Sequence, residues 1–121
     1  MAECLTDKFI ISKTVDNTFI FTIKADGTTL PMVIEPTDTF VASLQLLSDS
    51  SEALSKALTH EDLLNGKVSF LVTEAEAATL VSDKGSKVDR YYLLPTYKLV
   101  IDCVTTNNGN FIAKVCEVYV D

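Results

Sequence analysis

The sequence predicts a mostly-β fold, an antiparallel β-sandwich of about seven strands with one or two short helical turns, and three observations carry that reading. Short apolar runs of strand length alternate with clusters of polar turn residues along the whole chain, without the regular strand and helix alternation of βαβ units. Several of these runs place apolar and polar residues at a period of two, the mark of a strand with one buried face. The chain has 121 residues, 47% hydrophobic and 22% charged, with four glycines and three prolines, a composition that folds around one core and excludes a disordered or fibrous chain. It reads as one domain over residues 1–121, with residues 1–8 as a mobile N-terminal segment.

Taken in order, strands are expected at residues 9–13, 18–24, 32–34, 39–47, 67–73, 97–104 and 111–120. In the second, Phe19, Phe21 and Ile23 alternate with Thr18, Thr22 and Lys24, and Ala25-Asp26-Gly27 supplies turn residues. Pro31 cannot donate to a ladder, so the segment after it starts anew or lies on an edge. In the run 39–47, Phe40, Leu44 and Leu46 alternate with Val41, Ser43, Gln45 and Leu47, so both faces carry apolar bulk. Such a strand lies between two layers, or its outer face is covered by a neighbouring subunit. Residues 51–58 and 59–64 are expected to form helical turns before Asn65-Gly66. Thr73-Glu74-Ala75-Glu76 has the T-x-x-E form of a capping box, opening a short helix through Ala77, Ala78 and Leu80. Residues 82–88 read as an exposed loop.

The C-terminal hairpin is the strongest local signal, because Asn108-Gly109 suits a tight two-residue turn. That turn sets Ile101 opposite Cys116, Leu99 opposite Val118, Tyr97 opposite Val120 and Cys103 opposite Lys114. The core face then holds these apolar residues with Cys103 and Ile112, while Ala113 and Val115 fall on the other. Cys103 and Cys116 become diagonal neighbours, which favours packed thiols over a disulfide.

A formal charge of −7 and a pI near 4.5 exclude an unassisted nucleic-acid or anionic-membrane role, since the lysines are scattered and the single arginine is Arg90. No apolar run approaches the roughly 18 residues of a membrane span, and the N-terminus carries no export signal. Cys4, Cys103 and Cys116 have no metal-binding spacing and fit a reducing compartment. A mean hydropathy of +0.23 is high for so small a domain and points to apolar surface meeting a partner.

The chemistry-bearing residues are few. His60, the one histidine, sits in Thr-His-Glu-Asp, where adjacent residues do not converge on one ion, and reads as a solvated helix start. Cys4 has no positioned base beside it, and Glu74 with Glu76 is accounted for by the cap. None of the four glycines forms a phosphate loop. No enzymatic activity and no cofactor or metal are expected. Tyr91-Tyr92-Leu93-Leu94-Pro95 puts two tyrosines on alternate faces beside a proline, in the core, at an edge or at an interface.

Ser12-Lys13-Thr14-Val15-Asp16-Asn17-Thr18-Phe19-Ile20-Phe21-Thr22-Ile23-Lys24 followed by Ala25-Asp26-Gly27-Thr28 resembles the opening of the small immunoglobulin-like β-sandwich domains of tailed-bacteriophage structural proteins, including the N-terminal domain of baseplate upper proteins. Asn65-Gly66 leading through Lys67 to Glu76, then Tyr97-Lys98-Leu99-Val100-Ile101 and the stretch 109–120, continues the same order over residues 9–120. The chain departs from that pattern by an insertion at residues 82–94. The resemblance implies an immunoglobulin-like sandwich acting as an accessory structural protein of a virion, a capsid decoration or neck or tail adaptor assembled in the host cytoplasm. Its partners would be other virion structural proteins and further copies of itself in a ring or lattice, with no catalytic residue to carry over. The expected partner contacts are Lys84, Lys87, Arg90, Tyr91 and Tyr92 of the insertion, with Leu54 and Leu58. The alternative is a carbohydrate- or cell-surface-binding module in which Tyr91, Tyr92 and Tyr97 stack on sugars; the absence of Trp and an aromatic share of 8% count against it.

Overall fold

The computed structural model describes residues 8–24, 30–81, 84–87, 90–93 and 96–120, and only the backbone at 8, 84–87, 90–93 and 116. Cys4, the Ala25-Asp26-Gly27 turn and the N-terminal residues 1–7 therefore lie outside the description. Among the described residues are ten strands and one helical turn: β1 (Lys8–Ile11), β2 (Asn17–Thr22), β3 (Thr39–Leu46), β4 (Glu52–Ala57), β5 (Thr59–Asp62), β6 (Lys67–Val72), α1 (Glu74–Ala77), β7 (Lys84–Lys87), β8 (Arg90–Leu93), β9 (Tyr97–Val104) and β10 (Asn110–Val120). One sheet runs β1-β10-β9-β3-β4, a second β2-β6-β5, and β7 pairs only with β8. β1 lies parallel to β10 and every other pairing is antiparallel. This is an immunoglobulin-type sandwich, with the second and fifth strands of that fold in one sheet and the third, sixth and last in the other.

Alternation places the core between the sheets. Tyr97, Leu99, Ile101 and Cys103 of β9, Phe40, Ala42 and Leu44 of β3, and Val68, Phe70 and Val72 of β6 are all buried. Phe9 of β1 meets Phe19 and Phe21 of β2, with ring centroids 4.0 and 5.7 Å apart, stapling one sheet to the other. Each such side chain contributes roughly 1.5–3 kcal/mol on leaving water.

The last hairpin has the predicted strands and a different register. Ile101 faces Ala113, Leu99 faces Val115 and Cys103 faces Phe111, so the loop is the five residues 105–109. Thr105 causes this: its hydroxyl donates to the Gly109 carbonyl at 2.6 Å and accepts from the Asn108 amide at 3.2 Å, while Gly109 takes φ +67°. The pairing also slips between Val115 and Val118. This β-bulge switches the buried face of β10 from Ala113 and Val115 to Val118 and Val120, while the register set by the loop puts Ile112 opposite Asp102 on the outside. Cys103 is a buried free thiol. The side chain of Cys116 lies outside the description.

Residues 51–64 are strand and turn, not helix. Glu-Ala-Leu-Ser-Lys-Ala-Leu favours helix by local propensity, but Leu54, Lys56 and Leu58 also keep a period of two, and pairing with β3 decides. At Leu58 the chain crosses from one sheet to the other: its amide donates to the Phe40 carbonyl at 2.7 Å, and β5 then pairs with β6. Residues 32–34 make no ladder. Only Pro31 bridges to Lys24, and Ile34 donates to Leu63 across the turn. Gly66 is required there, because a Cβ would sit 2.7 Å from the carbonyls of both Ile23 and Met32.

The capping box forms as predicted. The Thr73 hydroxyl accepts from the Glu76 amide at 3.2 Å, and the Glu76 carboxylate accepts from the Thr73 amide at 3.0 Å. The insertion is not a plain loop, since β7 and β8 pair as a hairpin within it. At its base the Val81 amide donates to the Tyr97 hydroxyl at 2.9 Å, a bond worth about 1 kcal/mol. The buried ring and this bond tie the start of β9 to the segment leading into the hairpin.

Candidate functional site

Strand directions set the two ends of the sandwich. One end gathers residues 23–24 and 30–38, the turn 63–66 and the loop 105–109; the other gathers the turns 12–16 and 47–51, α1 and the β7–β8 hairpin. The hairpin brings together five of the seven sequence-predicted contact residues. Lys87 pairs with Arg90, Gly85 with Tyr92, Ser86 with Tyr91 and Lys84 with Leu93. Leu54 and Leu58 do not join them. Leu54 packs, partly buried, against the core, and Leu58 is buried at the sheet crossing.

The polar candidates are also consumed by the fold. His60 stands on β5, not at a helix start: its Nε2 lies 2.9 Å from the Asp38 carbonyl, and its ring meets Phe40 edge-on at 5.9 Å. Asp38, missed by sequence reading, is the buried acid at this end. Its carboxylate accepts from the amides of Glu35 and Thr106, both at 2.9 Å, locking the entry to β3 against the loop 105–109. The only sequence signal was its place in Pro-Thr-Asp ahead of a strand, which is common in turns.

Glu76 also receives Lys56 Nζ at 2.7 Å, and the same ammonium donates to the Leu71 carbonyl at 2.7 Å. The Lys56 hydrogen bond, followed by that of the Thr73 amide, holds the Glu76 carboxyl below its ordinary pKa. An inward-turned lysine also blunts the open edge of β4. Asp62 and Asp49 are held low by Asn65 and Ser51 respectively, each closing a turn. Burial pushes the Cys103 thiol up to about 12, which makes it inert. Among the described residues no three His, Cys, Asp or Glu side chains are grouped to hold a metal, and no helix is long and apolar enough to cross a membrane.

What remains is surface. On the outside of the five-stranded sheet, Val41, Val104 and Ile112 are 40%, 45% and 48% exposed, although each stands on a central strand. Register puts Ala57, Val41, Asp102 and Ile112 in one row, Thr39, Val104 and Asn110 in the next, and Ser55, Ser43, Val100 and Lys114 on the other side. Towards the opposite end this face turns polar, where the Ser43 hydroxyl donates to Glu52 and accepts from Gln45, and Lys98 reaches Ser50. The outside of the three-stranded sheet shows Ile20 and Leu71 among threonines. The alternation of residues 39–47 was the sequence signal for the first patch; Ile112 was hidden by the register of the last hairpin. The chain matches no protein-family model and no curated protein sequence.

Proposed function

We propose that this sandwich is an assembly module, an accessory structural protein of a tailed-phage particle that decorates the capsid or joins parts of the neck or tail through protein–protein contacts. The observation that carries this reading is the β7–β8 hairpin, an added two-stranded arm that pairs only with itself and springs from the base closed by Tyr97 and Val81. An arm that contributes no strand to either sheet costs conformational entropy and is best explained by what it touches in the assembled particle. Residues 82–94 carry Lys84, Lys87 and Arg90 against Asp83 and Asp89, a net charge of +1 on a chain of charge −7, which favours an acidic neighbour over a basic one. Multiple copies in a ring or lattice turn modest contacts into firm attachment.

The test is to replace residues 82–95 by a short Gly-Ser linker. The truncated chain keeps its circular-dichroism spectrum and melts within a few degrees of the natural one. In particles purified from infected cultures, quantitative mass spectrometry finds the natural chain at a fixed copy number and the truncated chain strongly depleted. A natural chain absent from purified particles, or a truncated chain incorporated at the normal level, defeats the reading.

A further inference from the structure

We infer that Asn108 is a modification site: the folded chain loses its carboxamide by spontaneous deamidation through attack of the Gly109 amide, while the other Asn-Gly pair, Asn65-Gly66, is protected by the fold. This goes beyond the assembly reading and does not depend on it.

The reaction is a cyclisation with three requirements. The backbone nitrogen after the asparagine must be free to act as nucleophile, the carboxamide must be free to swing onto it, and no Cβ on the following residue may crowd the approach. The five asparagines of the chain meet these conditions unequally. Asn17 has its carboxamide tied to Ser12 and Val15 by hydrogen bonds of 2.9, 2.8 and 3.0 Å, and it precedes Thr18. Asn107 donates to the Glu35 carboxylate at 3.1 Å and precedes another asparagine. Asn110 precedes Phe111, whose backbone is paired with Cys103 in the last hairpin.

Asn65 and Asn108 both precede a glycine, and the two glycines have almost the same φ, +68° and +67°. Their surroundings separate them. Asn65 Nδ2 donates to the Asp62 carboxylate at 2.8 Å, and the Asn65 amide donates to the same group at 3.3 Å. The Gly66 carbonyl accepts from the Ile23 amide at 2.7 Å, and an added Cβ would stand 2.7 Å from the carbonyls of Ile23 and Met32. Neither reacting group can turn there without breaking these contacts. In the loop 105–109 both are loose. The Asn108 carboxamide and the Gly109 amide make no hydrogen bond among the described residues, Gly109 is exposed, and nothing lies within 4 Å of an added Cβ. Thr105 accepts from the Asn108 amide at 3.2 Å and donates to the Gly109 carbonyl at 2.6 Å, so it anchors the loop on either side of the reacting pair without engaging it.

Hydroxide takes the Gly109 amide proton, the nitrogen lone pair forms a bond to Asn108 Cγ, and the Cγ–Nδ2 bond breaks. The leaving nitrogen takes a proton from water and departs as ammonia, which restores the hydroxide. A second water opens the five-membered imide at either carbonyl and leaves an aspartate or an isoaspartate at position 108. The net change consumes one water, releases one ammonia and involves no oxidant or reductant. It makes the chain charge of −7 more negative by one. The isoaspartyl form also lengthens the backbone by one methylene, inside the loop that Asp38 locks to the entry of β3 through the Thr106 amide.

The test incubates the full chain at mildly alkaline pH, native and unfolded in urea, and follows positions 65 and 108 by peptide mass spectrometry until the unfolded sample has converted. In urea the two Asn-Gly pairs convert at comparable rates. In the native chain position 108 converts at least about tenfold faster than position 65, where the imide must wait for local opening. Asn108→Ser has no carboxamide to lose, and it forms the acidic species seen on ion exchange no faster than conversion at position 65 allows. A smaller native ratio, or an intact Asn108 after the unfolded chain has converted, overturns the inference, as does an Asn108→Ser chain that acidifies like the natural one.

Discussion

Two glycines with almost the same backbone angle separate the cost of conformation from the cost of crowding. Gly66 has φ +68° and Gly109 φ +67°, so alanine at either position pays about 1–2 kcal/mol for a left-handed conformation. Around Gly109 nothing lies within 4 Å of an added Cβ. At Gly66 the same atom would stand 2.7 Å from two carbonyl oxygens and 3.1 Å from the Met32 nitrogen. Those atoms cannot easily yield, since Ile23 donates to the Gly66 carbonyl at 2.7 Å and Met32 donates to Ile23 at 2.9 Å. Overpacking of this kind adds about 1–3 kcal/mol, so Gly66→Ala should lose about 2–5 kcal/mol against about 1–2 for Gly109→Ala. With a urea slope near 2 kcal/mol/M, the unfolding midpoint falls by about 1–2.5 M in the first variant and about 0.5–1 M in the second. Equal shifts in the two urea curves would refute the packing of the turn 63–66 against residues 23 and 32.

Two further outcomes follow from titrating groups. Because Lys56 and the Thr73 amide lower the folded-state pKa of Glu76, its charge contributes stability that is present above the unfolded glutamate value and is lost as pH falls through the folded one. Glu76→Gln keeps the cap geometry and removes the charge, so it should cost about 0.5–1 kcal/mol at pH 7; urea melts should show that cost shrinking to nothing below the ordinary glutamate range. Cys103, with its thiol raised to about 12 by burial, should resist iodoacetamide at pH 8 in the native protein and be alkylated in denaturant, as peptide mass mapping would show.

Periodicity made much of this fold legible, because a period of two needs only local residues to declare it. β9 was bounded correctly at Tyr97–Val104, and the capping box was visible because its two hydrogen bonds span three residues. Asn65-Gly66 was marked as a turn, though its crowding by Ile23 and Met32 was not, since those residues reach it only through the fold. Where local signals tied, tertiary structure decided. Leu54 and Leu58 satisfy helix and strand spacing alike, and a free edge on β3 drew β4 into the sheet, leaving Leu54 partly buried against the core and Leu58 buried just beyond the strand's end.

The candidate site divides the same way. That residues 82–88 stand apart from the sandwich strands, and that both faces of residues 39–47 carry apolar bulk, was open to sequence reading. That the insertion pairs with itself, that Ile112 points outward, and that Asp38 is buried were not. The first is a local pairing of short strands that apolar spacing does not mark, the second follows from the five-residue loop that sets the register of the last hairpin, and the third from a carboxylate shared by two loops. By itself the sequence determined a β-sandwich, since alternation is written residue by residue. Only the tertiary structure decided which side of the last strand is the surface, because one extra residue in a ladder reverses every side chain beyond it.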